Sequence, residues 1–200
     1  GYRYNTKWYE IYQQFNNPQT QNDITFEGGS DRLAYMVSAS QFHQRGTTVG
    51  NVYDRYTVRT NLNGRPKDWL KFGLNVNLSY DKNIQNPAWG NSDGVSSYID
   101  GGLSYMLNPL YPSNDPETGE PLQYYPFGAY NPQYVMDSAP ETVSRYFMNG
   151  NFFLTLTPIK GLTITSRIGT DIIFTRDNYL AYPSSDYVGG SGLKYKASAY

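Results

Sequence analysis

The residues best suited to chemistry lie in one irregular stretch, 83–142, which carries Trp89, Tyr98, Tyr105, Tyr111, Tyr124 and Tyr125. Aromatic faces stack on sugar rings and peptide side chains, and a phenol adds a hydrogen-bonding hydroxyl. The chemistry on offer is therefore binding. The same rings also suit packing of the loop upon itself, or a girdle of aromatics at a membrane surface. Asp115, Glu117 and Glu120 in this stretch present three carboxylates, the ligand type a hard cation such as calcium takes. Their spacing does not match an EF-hand loop, and Asn114, Asp115, Pro116 and Gly119 are turn formers. A solvated turn is the expected outcome.

Catalysis finds little support. His43 is the single histidine and there is no cysteine, so neither a zinc site nor a catalytic triad is in prospect. No nucleophile elbow or phosphate loop occurs, and nothing places two carboxylates together for glycoside hydrolysis. We expect no enzyme, no metal and no cofactor. A net charge of −1 gives no electrostatic case for nucleic acid.

The elements that would position the aromatic stretch are strands. From Trp69 to Asp81, Leu70, Phe72, Leu74, Val76, Leu78 and Tyr80 alternate with Lys71, Gly73, Asn75, Asn77 and Ser79. Successive side chains of a strand point to opposite faces, so one face is apolar and the other polar. Half-buried strands alternate over four to eight residues; this run spans ~40 Å, and a tilted membrane strand needs about 9–11 residues. Similar alternation places strands near 22–27, 32–43, 53–63, 69–81, 145–157 and 161–175, with a last one beginning at Leu193. Gly28–Asp31, Asn63–Asp68 and Pro158–Gly161 read as short turns, and Phe42 breaks parity in a way that predicts a bulge near Gln41. Residues 1–21, with Trp8, Tyr9, Tyr12 and Phe15, have room for a short helical turn but read as loop.

Leu74, Val76, Leu78, Leu154 and Ile168 are expected to face lipid. Arg55, Arg59, Asn75, Asn77, Arg167 and Asp171 are expected to face a wet lumen, where they steer substrate or pair with carboxylates of neighbouring elements. Composition agrees: 21 Tyr and 16% aromatic residues suit the girdles of an outer-membrane barrel. No apolar run approaches the ~18 residues of a membrane helix. Short turns alternate with longer connections, which predicts periplasmic turns and an extracellular 83–142 loop. Bacterial single-chain barrels have an even number of strands from eight upward, and an open sheet leaves unpaired edges in lipid. The fold class expected is therefore all-β, an antiparallel transmembrane β-barrel, with this chain supplying about six to seven strands of a larger one. The absence of a signal peptide and of an initiator Met predicts a processed chain or an internal piece.

The run from Asp23 to Ser40 (DITFEGGSDRLAYMVSAS), followed by Gln44, Arg45 and Gly46, resembles an early barrel hairpin of SusC/RagA-type TonB-dependent outer-membrane transporters. Arg55–Leu62 with Asp68–Asn75 is similar to the next hairpin of that family. Asn108–Pro112 (NPLYP) resembles a recurring loop motif, and Pro158–Thr163 a later periplasmic turn. The resemblance covers most of residues 18–176 and rests on the order and spacing of these motifs. It implies a 22-stranded barrel in the outer membrane of a Gram-negative bacterium, with a plug domain that this segment lacks. It further implies energy from TonB, a SusD/RagB-like surface lipoprotein partner, and uptake of oligosaccharides or peptides.

Two rival readings use the same residues. One is a soluble or surface-anchored β-rich glycan-binding module, which needs a second sheet to cover the apolar face. The other is a passive porin-like barrel without energy coupling.

Overall fold

The alternating segments fold as strands, and consecutive strands pair antiparallel because short turns return each one beside its predecessor. The computed structural model of the chain describes residues 3–85, 107–125, 129–131, 133–134, 137, 141–181 and 194–199. Four strands come first: β1 (Gln19–Ser30), β2 (Leu33–Arg45), β3 (Val52–Lys67) and β4 (Leu70–Gln85). A small hairpin follows, β5 (Tyr124–Tyr125) with β6 (Ala129–Tyr130). Then come β7 (Glu141–Ile159), β8 (Leu162–Ala181) and β9 (Lys194–Ala199). The main sheet has the order β1-β2-β3-β4-β7-β8-β9. One short helix, α1 (Trp8–Tyr12), precedes it. No helix among the described residues is long and apolar enough to cross a membrane, so any crossing is made by strands.

The register aligns the apolar positions from strand to strand. Ile24, Ala39, Val58, Leu78, Met148 and Ile172 stand side by side in one row. A slip of one residue anywhere would move that strand's apolar set to the polar face. Among the described residues nothing covers this face: Ile24 is 55% exposed, Phe26 62% and Ile168 66%. The four buried hydrophobic side chains among the described residues, Trp8, Tyr12, Leu107 and Tyr125, all lie outside the main sheet.

The strands outrun the alternation that predicted them. β4 and β7 contain 16 and 19 residues and pair from Leu70↔Leu156 to Gln85↔Glu141, so the 83–142 connection is framed by strand at both ends. At ~3.3 Å per residue a 16-residue strand reaches ~50 Å, beyond a hydrocarbon core of ~30 Å. Alternation is needed only where one face meets lipid, whereas pairing continues wherever backbone groups must be satisfied.

Three local expectations need correction. Gly28 and Gly29 lie inside β1, and Asp31-Arg32 makes the turn. A Cβ at Gly28 would lie 2.6 Å from the Tyr35 hydroxyl, which would have to shift, and one at Gly29 would lie 2.5 Å from the Leu33 carbonyl oxygen, so close approach favours glycine there. Likewise β3 continues through Gly64 to Lys67, with the turn at Asp68-Trp69 and a register irregularity between Gly64 and Lys67. There is no bulge at Gln41, which pairs in continuous register with Asn22 and Tyr56. Phe42 simply faces the polar side, where the Arg55 guanidinium lies over its ring at 5.4 Å. The Lys160-Gly161 turn does use left-handed glycine, with φ +92° at Gly161.

Candidate functional site

The first part of the site is the polar face of the sheet. Opposite parity to the apolar row places Arg59, Asn77, Asn149 and Asp171 side by side. One step toward the short turns, Asn61, Asn75 and Asn151 form a second row. One step further Arg167 pairs with Phe153, which pairs with Gly73. Toward the long connections, Arg55, Asp81 and Arg145 form a charged row, and Asp81 accepts a hydrogen bond from Ser79 Oγ at 3.0 Å. The Asn149 amide donates to the Asp171 carboxylate. The six residues expected on a polar face are thus all on one face, spread over β3, β4 and β8. Chemically this face is a grid of amides, guanidinium groups and carboxylates suited to exchanging hydrogen bonds with a polar ligand or polypeptide.

The opposite face carries the residues expected to meet lipid: Leu74, Val76, Leu78, Leu154 and Ile168. Toward the long connections it ends in an aromatic row, Tyr56, Tyr80, Tyr146 and Phe174, with successive ring centroids 6.4, 4.9 and 6.1 Å apart.

The second part is a cap at the long-connection end, built by three segments far apart in sequence. Trp8 and Tyr12 on one side of α1 pack against Leu107 and Tyr125, with Trp8 and Tyr125 edge to face at 4.7 Å. Polar bonds fix the arrangement. Trp8 Nε1 donates to the Asn108 carbonyl at 3.0 Å, and Thr6 N donates to the Pro109 carbonyl at 2.8 Å. Thr6 Oγ1 donates to the Tyr111 carbonyl at 2.6 Å. Gln14 Nε2 donates to the Gly46 carbonyl at 2.7 Å, tying in the β2–β3 connection. Burial pushes the Tyr12 phenol well above its usual range and the Tyr125 phenol up to about 12.

Beside this cap an open cleft of about 510 Å³ lies between the N-terminal segment and the 112–116 turn. Lys7 and Glu10, paired at 3.0 Å, line it together with Asn114 and Asp115. The hydrogen bond between them raises the pKa of Lys7 and lowers that of Glu10. Asp115 Oδ1 accepts from the backbone N–H of Glu117 at 2.8 Å and Gly119 adopts φ +78°, so the acidic stretch is an ordered turn.

Among the expected ligand-stacking residues, Tyr111 is exposed, whereas Tyr125 is 5% exposed and spent on the cap. Tyr124 belongs to β5, and Trp89, Tyr98 and Tyr105 lie outside the described residues. Trp8 and Tyr12 were missed as organising residues. Their four-residue spacing was a helical signal hidden in a stretch read as loop.

No family model matches the chain. It is 26% identical over 174 residues to TonB-dependent receptor P26 of Formosa agariphila, covering 85% of this chain and 17% of that protein. It is 36% identical over 73 residues to TonB-dependent receptor P3 of the same organism, covering 36% of this chain and 7% of that one. Among solved structures, the RagAB peptide transporter superposes with a TM-score of 0.78 and 25% identity over 98% of this chain. The RagAB peptide importer in its open-open state gives 0.75 and 25% over 96%. In sequence and in fold the chain is similar to part of these TonB-dependent receptors and of the RagAB transporter.

The chain spans 17% of the first curated relative and 22% of the solved transporter chains. In a SusC/RagA-type wall the seven-stranded sheet is explained as a segment whose edge strands find partners in neighbouring strands of the same barrel. Among the described residues no second sheet covers the apolar face, the cover that the soluble rival requires.

Proposed function

We propose that the chain forms wall and extracellular mouth of an outer-membrane importer. It takes up oligosaccharides or peptides with energy from TonB and with a SusD/RagB-like surface lipoprotein as partner. The location is the outer membrane of a Gram-negative bacterium, in a barrel of 22 strands. The observation that carries the reading is the uncovered apolar face, in register across β1–β4, β7 and β8 and backed by a polar face. A soluble protein leaving so large a contiguous apolar patch in water would associate or aggregate; against lipid the same face is stable.

The polar face lines the lumen in this reading. Its amides and charged groups supply hydrogen bonds to substrate and plug, without covalent chemistry. The turns at Asp31-Arg32, Asp68-Trp69 and Lys160-Gly161 are periplasmic. The cap formed by α1 and the 107–125 segment is extracellular, with Tyr111 available to stack on ligand. Tyr124, on β5, belongs to the same mouth.

Uptake of labelled oligosaccharides and peptides by cells producing the full-length protein tests this reading. Import that stops when a protonophore collapses the proton gradient supports energy coupling. Import that persists unchanged identifies a passive pore. Failure to take up either substrate class contradicts the proposed function.

A further inference from the structure

Above the aromatic row the apolar face changes character. The next row toward the long connections is His43, Asp54, Lys82, Ser144 and Arg176, in direct register from β2 to β8. Asp54, across from Lys82, is held instead by His43 Nδ1 at 2.6 Å. Among the described residues no carboxylate pairs with Lys82 or Arg176, and Arg176 donates only to the Asn178 side chain at 3.2 Å. Ser144 between them is small and leaves no bulky side chain dividing the two cations. Below the aromatic row, an apolar groove of about 400 Å³ lies over Leu78, Met148 and Ile172.

On β4, β7 and β8 the outward face therefore stacks three layers. Leu78, Met148 and Ile172 form the lowest; Tyr80, Tyr146 and Phe174 the middle; Lys82, Ser144 and Arg176 the uppermost. Same-face neighbours on a strand are ~6.6 Å apart, so the cations stand ~13 Å above the groove floor. Strands β4 and β8 are two spacings apart, ~9.6 Å, a gap that two long side chains close around one tetrahedral anion. Aromatic rows mark the headgroup level of a membrane protein. A cation pair just beyond that level faces lipid phosphates.

We propose that this column binds one anionic, phosphate-bearing lipid. Its phosphate sits between Lys82 and Arg176, and an acyl chain lies in the groove beneath Tyr80 and Tyr146. The site is specific to these three strands. On neighbouring β3 the same row presents Asp54, which repels the headgroup and bounds the site. The proposal rests on the apolar face meeting lipid, as in the function proposed above.

The test is native mass spectrometry of the full-length protein in mild detergent, titrated with phosphatidylglycerol or with phosphatidylcholine of the same acyl chains. Near an anionic surface each Lys or Arg contributes about 1 kcal/mol. The double variant Lys82→Gln, Arg176→Gln should thus bind phosphatidylglycerol roughly thirtyfold more weakly and phosphatidylcholine unchanged. The pair Lys71→Gln, Arg167→Gln on the opposite face should change neither. Equal binding of both lipids by wild type overturns the proposal, as does an unaffected double variant. A nitroxide at Ile168 separates the two readings. If lipid-soluble oxygen reaches it, water-soluble nickel chelate does not, and no headgroup preference is seen, the lipid site alone fails. If the nickel chelate reaches it, the lipid-facing assignment fails with it.

Discussion

Replacing Gly73 by Ala should destabilise this wall, against the usual direction of a glycine change in a strand. Glycine in a strand interior costs about 0.5–1 kcal/mol relative to alanine, so the backbone alone favours the substitution. The surroundings oppose it. A Cβ at Gly73 would lie 2.1 Å from Phe153 Cε1, 2.5 Å from its Cζ and 2.8 Å from Asn63 Oδ1. Phe153 is the directly paired residue on β7, and its ring rests on the bare backbone of β4. Overpacking of this kind costs about 1–3 kcal/mol, which leaves a net loss of up to about 2.5 kcal/mol. Gly169, on the same face, is the control: its Cβ would meet nothing closer than 3.8 Å. Gly169→Ala should be neutral or stabilising by up to about 1 kcal/mol. The gap between the two variants, about 1–3 kcal/mol, isolates the steric term because the backbone term is common to both. Urea unfolding of the full-length protein in lipid vesicles, followed by tryptophan fluorescence, measures both. Adding Phe153→Leu to Gly73→Ala should recover most of the loss, a coupling of about 0.5–3 kcal/mol. Equal effects of Gly73→Ala and Gly169→Ala, or no recovery in the double variant, would refute the reasoning.

Other outcomes follow from the two faces and the cap. Val76→Arg, near the bilayer midplane, should cost about 2–4 kcal/mol, and Asn77→Arg far less, since it adds a cation to a wet face; the same unfolding assay compares them. Trp8→Ala removes a ring from the centre of the cap and the donor to the Asn108 carbonyl, so a local loss of about 3–5 kcal/mol is expected. Limited proteolysis should then cut the 107–125 segment while β1–β4 stay protected. The Tyr125 phenol ionises near 10 when exposed and is raised to about 12 in the cap. Its contribution is therefore fully present below pH 10 and lost as pH rises from about 10 to about 12. Phenolate absorbance should show a late-titrating fraction that Trp8→Ala moves to lower pH.

The period of two was legible because both faces of β3, β4, β7 and β8 have different neighbours along the whole apolar band. Strand ends were not, because pairing continues where the alternation stops, as from Asp81 to Gln85. Gly28 and Gly64 looked like turn residues in the chain, yet each lies inside a strand with the Tyr35 or Phe72 ring packed against it. That packing exists only once strands are paired. The cap was hidden for a different cause: Trp8 and Asn108 are 100 residues apart, and no local pattern announces such a contact. Tyr125 was singled out as a ligand residue by type, and burial against Trp8 reassigns its ring to holding the mouth together.

The central claim is that β4 separates lipid from a wet lumen. Nitroxide labels placed singly at Phe72 to Tyr80 of the full-length protein in bilayers test it most directly, read by accessibility to oxygen and to a water-soluble nickel chelate. The account predicts a period of two, with Leu74, Val76 and Leu78 open to oxygen and closed to the chelate, and with Asn75, Asn77 and Ser79 lacking the oxygen signal of lipid. Accessibility without that period, or chelate access at Val76 equal to that at Asn77, would contradict it.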